Sequence, residues 1–500
     1  MSSRTLSRRG LLKSSAGASA FLTMASCGGA RAPVTGDDWI DGVETAARIK
    51  SGDLTAVEAV SAAIDRAKTV NPAINALVAD TFDSARSAAA EGRAGPFGGV
   101  PSFVKDLTDV IGQPTHYGSR AFKGYVAERQ SAFADAYLAS GFISIGKSAT
   151  PELGITATTE PLSHGPTRNP WNLNHSAGGS SGGAAALVAA GVTPIAHASD
   201  GAGSIRIPAS NCGLVGLKST RGRLPSGRLG DGPPLELSVQ GCLSRTVRDT
   251  AAFLAAISAA AGSEKPIRMV TGPARARLKI GFHIDPVVGV DVAPEVVAAV
   301  RQAAVLCEDL GHEVEEIATP YDASFAGDMK IYFAGLVAGG VAEWSQMSGR
   351  APTYSDFEPL TFDLVRFYEA HKSQMPAVTG RLVDYARVFD GAFGEKDILL
   401  SPTLATPAPE IGFLRTDLDW ETMWSRVLSV APFTQAQNVA GVPAISLPLA
   451  QTPGGLPIGA QFTARSGADE MLLELAYELE EAAPWIDRKP PLFAGGEGAA

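Results

Sequence analysis

Residues 177–191 read AGGSSGGAAALVAAG. Four glycines surround two serines, and an Ala-rich helix follows. Glycine permits unusual φ/ψ angles and close backbone approach. No other stretch of this chain restricts the fold so much. Next comes SDGAGSIRIPAS (199–210), a serine set in a Gly/Ala loop. N–H groups flanking such a serine are free to point at an oxyanion. Upstream, GGVPSFVKD (98–106) places Lys105 in an apolar segment.

The surrounding pattern predicts an α/β fold. Thr55 and Glu58 have the spacing of a capping box. Val57, Val60, Ile64 and Ala67 then mark one helical face. From Gly98 to about Leu217, Gly- and Pro-rich loops alternate with the short apolar runs VPSFV, FISI and VTPIAHA. Strands interleaved with helices predict a sheet core. Residues 320–395 mix aromatics and charges and predict a helical insertion over that core. DILLSPT and PAISLPL return to strand character, a helix follows from Asp469 to Glu481, and the FAGGEGAA end is expected to fray. We therefore place the main domain at 38–488, with a tail at 489–500.

The N-terminus predicts export. SRRGLLK (7–13) precedes SSAGASAFLTMASC (14–27), which is apolar and free of charge. A basic region, a short apolar run and small residues make an export signal. Paired Arg8-Arg9, with Ser before and Leu-Lys after, resembles the twin-arginine address. MASC resembles a lipoprotein cleavage box that would lipidate Cys27, although Met24 stands where Leu is usual. The run is too short and too rich in Ala and Ser for a membrane span of about 20 apolar residues. We read 1–26 as the signal and 27–37 as a tether. The product would be periplasmic or in the cell envelope, touching membrane only through signal or lipid.

Without residues 1–26, four of the 42 basic residues go and all 52 acidic ones stay. That surface is a poor one for nucleic acid, which needs clustered Lys and Arg. The other cysteines, Cys212, Cys242 and Cys307, have no metal-type spacing and are expected as buried thiols.

GFISIGKS (141–148) matches the phosphate-binding pattern G-x-x-x-x-G-K-[ST]. A phosphate loop needs a strand before it and a helix after it. Here the order is reversed. SAFADAYLAS reads as a helix ended by Gly141, FISI reads as a strand, and Pro151 opposes a following helix. Gly141 and Gly146 are expected at the two ends of that strand. The same objection removes an S-x-x-K nucleophile at Ser144 and Lys147.

Taken together, GGVPSFVKD, GKSATPELG, GPTRNPWN, GGSSGG, DGAGSIRIPAS and GLVGLKSTRGRLP resemble the blocks of the amidase signature family, in the family's order. GVPAISLP and GLPIGAQF extend the resemblance across roughly residues 38–485. It implies one large α/β domain with a central twisted mixed sheet covered by helices. It implies an amidase with no cofactor and no metal, acting on a small-molecule amide as a monomer or homodimer. By position, Ser204 would be the nucleophile, Ser180 the bridge and Lys105 the base, with a cis peptide between Gly179 and Ser180. The N–H groups of Gly201, Ala202, Gly203 and Ser204 would form the oxyanion hole. Ser181, Asp200 and Arg206 would support the loop. Family members usually carry Gly-Gly before the nucleophile, whereas this chain has Ala202-Gly203. If position 202 needed a positive φ, alanine would cost about 1 kcal/mol.

The chemistry stands beside the resemblance. A free serine is a weak nucleophile and needs a base. A neutral lysine serves if burial lowers its pKa. Asp106 should not oppose that shift, because neighbouring side chains on a strand face opposite ways. A Ser-His-Asp rival using His197, His175 or His164 lacks the G-x-S-x-G elbow, since position 202 is Ala and 206 is Arg. His197 is expected to be structural. Within the family, SDGAGSIRIPAS and EPLTFDLV (358–365) resemble cyclic-dimer (6-aminohexanoate) hydrolases. Two other readings stay open at this point: an amidotransferase amidase subunit and a non-catalytic solute-binding lipoprotein.

Overall fold

The computed structural model describes residues 39–230 and 232–494. The signal, the tether and Cys27 lie outside the described residues.

β1 (Leu77–Asp80), β2 (Pro101–Lys105) and β3 (Ile143–Ser148) form a three-stranded sheet in the order β1-β3-β2. β2 runs parallel to β3 and is an edge strand. β4 (Arg168–Asn169) and β5 (Asn172–Ser176) make a small hairpin. β6 (Ile195–Asp200), β7 (Gly216–Lys218) and β8 (Val239–Ser244) come next, and β6 pairs with β8 antiparallel along its length. β7 joins β9 (Lys279–Phe282), β10 (Glu313–Glu316), β11 (Ile398–Pro402), β12 (Ala444–Gln451) and β13 (Pro457–Ala464). These form a six-stranded mixed sheet ordered β10-β9-β11-β13-β12-β7. The Val215–Ser244 bridge ties β8 to the chain entering β7. β6 lies beside β2, where the Ser102 hydroxyl donates to the Ile195 carbonyl at 3.0 Å.

The local signals explain the elements they sit in. Thr55 and Glu58 close a capping box on the helix Ala56–Ile74. Val60, Ile64 and Ala67 are buried, but Val57, in the first turn, points to solvent. The predicted insertion comprises the helices Ser324–Ser348, Pro359–His371 and Met375–Gly391. Cys212, Cys242 and Cys307 are buried free thiols.

GFISIGKS is a strand, and every side chain of β3 is buried. Gly146 does not end that strand. It lies inside β3, at φ +154°, where the β2–β3 register slips. Three residues of β3 there span the step that two span on β2, which is a bulge. The Lys147 amine is buried and donates to the Thr108 carbonyl and to Thr115 Oγ1. The C-terminal boundary also needs correction. Phe493 and Ala494 are buried, and the Ala494 N–H donates to the Ala190 carbonyl at 2.7 Å. The Phe493 ring lies under the Arg245 guanidinium, so the packed domain runs to at least residue 494.

The glycine-rich stretch is the tightest junction in the fold. The helix Gly182–Ala189 is buried along its whole length. A Cβ on Gly183 would lie 2.2 Å from the Ala149 nitrogen, and one on Gly179 would lie 2.5 Å from the Thr158 carbonyl oxygen. Backbone meets backbone at both points, so a side chain has nowhere to go. Gly183→Ala should therefore destabilise the protein by roughly 1–3 kcal/mol, the range for overpacking. Urea denaturation checks this, and an unchanged midpoint would show that the junction can relax.

Candidate active site

Three segments converge on one buried amine. Lys105 ends β2 and is fully buried. Its Nζ lies 2.8 Å from Ser180 Oγ, 3.1 Å from Ser199 Oγ and 3.3 Å from the Ser199 carbonyl. The Gly179–Ser180 peptide is cis. Burial brings the Lys105 amine down to about 7, with the Asp200 charge opposing. Asp106 faces away, as strand alternation requires, and its carboxylate accepts from the His116 and Gly118 N–H groups. The Ser181 hydroxyl donates to the Ser199 carbonyl at 3.2 Å.

Ser204 sits half-buried on the loop between β6 and the helix Arg206–Cys212. Its hydroxyl makes no hydrogen bond among the described residues, so the expected Ser180–Ser204 link is not closed here. Catalytic hydrogen bonds often tighten only when substrate is bound.

The loop is built on one fully buried ion pair. Arg206 and Asp200 meet through Nε–Oδ2 at 2.9 Å and Nη2–Oδ1 at 3.0 Å. Asp200 also accepts from the Gly203 N–H at 2.6 Å and the Ile205 N–H at 3.2 Å. Burial pushes its carboxyl up, but the Arg206 charge and hydrogen bonds outweigh this and hold it at about 2. Arg206 also donates to Gln461 Oε1 (2.8 Å), the Thr434 carbonyl (2.8 Å) and Asn438 Oδ1 (2.6 Å). Both residues thus organise the loop, and neither has a face left for substrate.

The expected oxyanion hole changes in one member. The Gly203 N–H is committed to Asp200, because the turn that exposes Ser204 folds back over that carboxylate. The N–H groups of Gly201, Ala202 and Ser204 donate to no protein acceptor among the described residues. The positive φ falls at Gly203 (+128°), and Ala202 is not among the residues with positive φ. The alanine therefore carries no backbone strain. Its carbonyl is held by Thr434 Oγ1 at 2.7 Å.

His197 is structural, as expected. Both ring nitrogens are engaged, Nδ1 by the Lys105 N–H at 3.2 Å and Nε2 by Gln240 Oε1 at 2.9 Å. His175 Nδ1 bonds to the Ala408 carbonyl.

Several positioning groups escape sequence reasoning. Ser199 precedes Asp200 and shares a strand face with His197, so alternation alone could have raised it. Thr434, Asn438 and Gln461 lie more than 220 residues downstream of the loop they hold, and no local pattern marks them.

The family model described as Amidase matches residues 58–473. AmiC of Mycobacterium tuberculosis is 43% identical over 460 residues, covering 91% of this chain and 97% of that protein. The 6-aminohexanoate-cyclic-dimer hydrolase of Paenarthrobacter ureafaciens is 37% identical over 489 residues, covering 91% and 97%. A solved structure of 6-aminohexanoate cyclic dimer hydrolase complexed with substrate aligns with a TM-score of 0.82 at 34% identity, covering 91% and 99%. Fold and sequence together define a mixed α/β hydrolase acting on amide carbon–nitrogen bonds. The chain belongs to the amidase signature family.

Arg206→Met strands a buried carboxylate. Losing one partner of a buried pair costs about 3–5 kcal/mol. The urea midpoint should fall accordingly, and a midpoint equal to wild type would show that the pair does not hold the loop.

Proposed function

We propose that the protein hydrolyses small amides through a Ser204–Ser180–Lys105 relay and an acyl-enzyme. The observation that carries this reading is the 2.8 Å contact between a buried Lys105 amine and Ser180 Oγ. Lys105, neutral, takes the Ser180 proton as Ser180 takes the proton of Ser204. Ser204 Oγ attacks the amide carbonyl. The N–H groups of Gly201, Ala202 and Ser204 receive the oxyanion. As the tetrahedral centre collapses, the relay returns the proton to the departing amine. Water then attacks the acyl-enzyme through the same relay, giving the carboxylic acid and free Ser204.

Two expectations test the relay. Ser204→Ala should abolish turnover while leaving the circular dichroism spectrum unchanged; retained turnover refutes the assignment. The pH profile is the second. Lys105 works only when neutral, and its pKa lies at about 7 rather than 10.5. Below that value kcat/KM should fall about tenfold per pH unit, and above it the profile should level. A flat profile from pH 5 to 8 would exclude Lys105 as the base.

Cyclic amides are the substrates we favour, linear and aryl amides coming second. The reading is supported by the 37% identity to the cyclic-dimer hydrolase over nearly the whole chain. Membership of an enzyme family leaves no ground for the solute-binding alternative. A panel containing 6-aminohexanoate cyclic dimer, linear aliphatic amides and anilides decides between classes.

We also propose export by the twin-arginine route, with Cys27 as a lipid attachment point. The support is the residue pattern of Ser7-Arg8-Arg9 and Met24–Cys27. Replacing Arg8 and Arg9 by lysine should leave the protein in the cytosolic fraction, and unchanged fractionation would overturn the proposal.

A further inference from the structure

His197 lies beside Lys105, fully buried, and the proton relay gives it no task. Its placement follows from the sheet. β2 is the edge of its three strands, and its outer side faces β6. The hydrogen bonds recorded between the two strands run through side chains. Ser102 Oγ reaches the Ile195 carbonyl, and the Lys105 N–H reaches His197 Nδ1 at 3.2 Å. A buried main-chain N–H needs an acceptor, and for Lys105 that acceptor is the imidazole. Two residues further along the same face of β6, Ser199 holds the Lys105 amine. One strand therefore grips Lys105 at both ends, its main chain and its Nζ.

The ring itself is fixed. Since Nδ1 accepts, the proton sits on Nε2 and is donated to Gln240 Oε1 on β8. The Phe133 ring lies against it, centroids 4.5 Å apart. We propose that His197 is a positioning residue: by accepting the Lys105 N–H it fixes the end of β2 so that the amine stays between Ser180 and Ser199. The proposal rests on the reading of Lys105 as the base.

Charge supports the geometry. An imidazolium would lose its acceptor and add a like charge near Lys105 and Lys147, which face it from β2 and β3. Tyr137 faces the ring from the helix Ala132–Ala139, and Cys242 pairs with it from β8. Burial holds the ring down at about 3, so it is neutral above about pH 5. Asp200 is the acid that acts on Lys105 itself.

The test reads nucleophile activation without needing the natural substrate. The rate of Ser204 modification by a serine-directed fluorophosphonate is measured from pH 5 to 9 for wild type, His197→Leu, His197→Asn and Gln240→Met. His197→Leu removes the acceptor and keeps the bulk. Its rate should fall about ten- to hundredfold. Its acidic limb should move up by roughly half a pH unit or more, because a loosened amine regains Asp200 and water, both of which favour the ammonium. His197→Asn offers Oδ1 near the position of Nδ1 and should restore most of the rate. Gln240→Met frees the ring to change tautomer and should cost about three- to tenfold.

A wild-type rate and limb in His197→Leu overturn the proposal. So does an equal loss in the Leu and Asn variants with an unmoved limb, which would mean packing alone. If His197→Leu does not fold, a wild-type rate in Gln240→Met overturns it. Lys105→Met separates the two readings. Undiminished labelling of that variant refutes the base assignment itself. Labelling lost there but intact in His197→Leu refutes only the role of His197.

Discussion

The whole arrangement depends on water being kept from one amine. Burial lowers the Lys105 pKa because an ammonium loses its hydration in the interior. The three oxygens around Nζ would satisfy an ammonium's three N–H groups, and they serve the neutral form as well. A neutral amine has two N–H groups and one lone pair. The Ser199 carbonyl can only accept, and Ser199 Oγ stands beside it, so both N–H groups have acceptors on one residue. The lone pair is left for the proton of Ser180, 2.8 Å away. That geometry permits the proposed direction of proton flow.

Such an amine could not stay neutral beside a free carboxylate. Asp200 lies at the end of the strand that holds it, and its charge does raise the Lys105 pKa somewhat. Burial outweighs it, and the carboxylate is itself engaged by Arg206, by the Gly203 and Ile205 N–H groups and by Asn438 Nδ2. The same bonds bend the chain so that Ser204 stands clear of β6. One carboxylate therefore shapes the nucleophile loop while its field is spent on a guanidinium. The fold must bury the pair completely for this to work, since a solvated Arg206 would release Asp200 toward the lysine.

The sequence makes local structure legible and distant contacts illegible. Helix caps, strands and the helical insertion all follow from spacing, because their causes lie within a few residues of one another. The Lys147 segment reads correctly as strand for the same reason, yet its bulge at Gly146 is set by pairing with β2 and carries no local mark. The site divides the same way. Lys105, Ser180, Ser204, Asp200 and Arg206 sit in blocks unusual enough to be picked out. Which N–H groups face outward could not be read there. Taking Gly203 as an oxyanion donor fails because its partner choice depends on the folded turn. Whether Ala202 needed a positive φ could not be read either, and the positive φ falls one residue later.

Substrate choice is the least legible property, and packing shows why. Ala202 packs at the margin of an apolar cluster that includes Tyr332, Val378 and Phe389 of the insertion. Ile207, one turn beyond Ser204, belongs to a second cluster with Ala334, Leu360 and Leu364 of the same insertion. Leu153 and Ile155, flanking the glycine beside Ser180, pack against that second cluster. Phe333 touches both clusters and stays half-buried. The proposed reacting groups thus come from residues 105–204, while apolar clusters bordering their loops draw on helices more than a hundred residues away. The chemistry can stay fixed in the glycine-rich core while the helices that border it change, which is why blocks that identify the reaction say so little about the molecule it acts on.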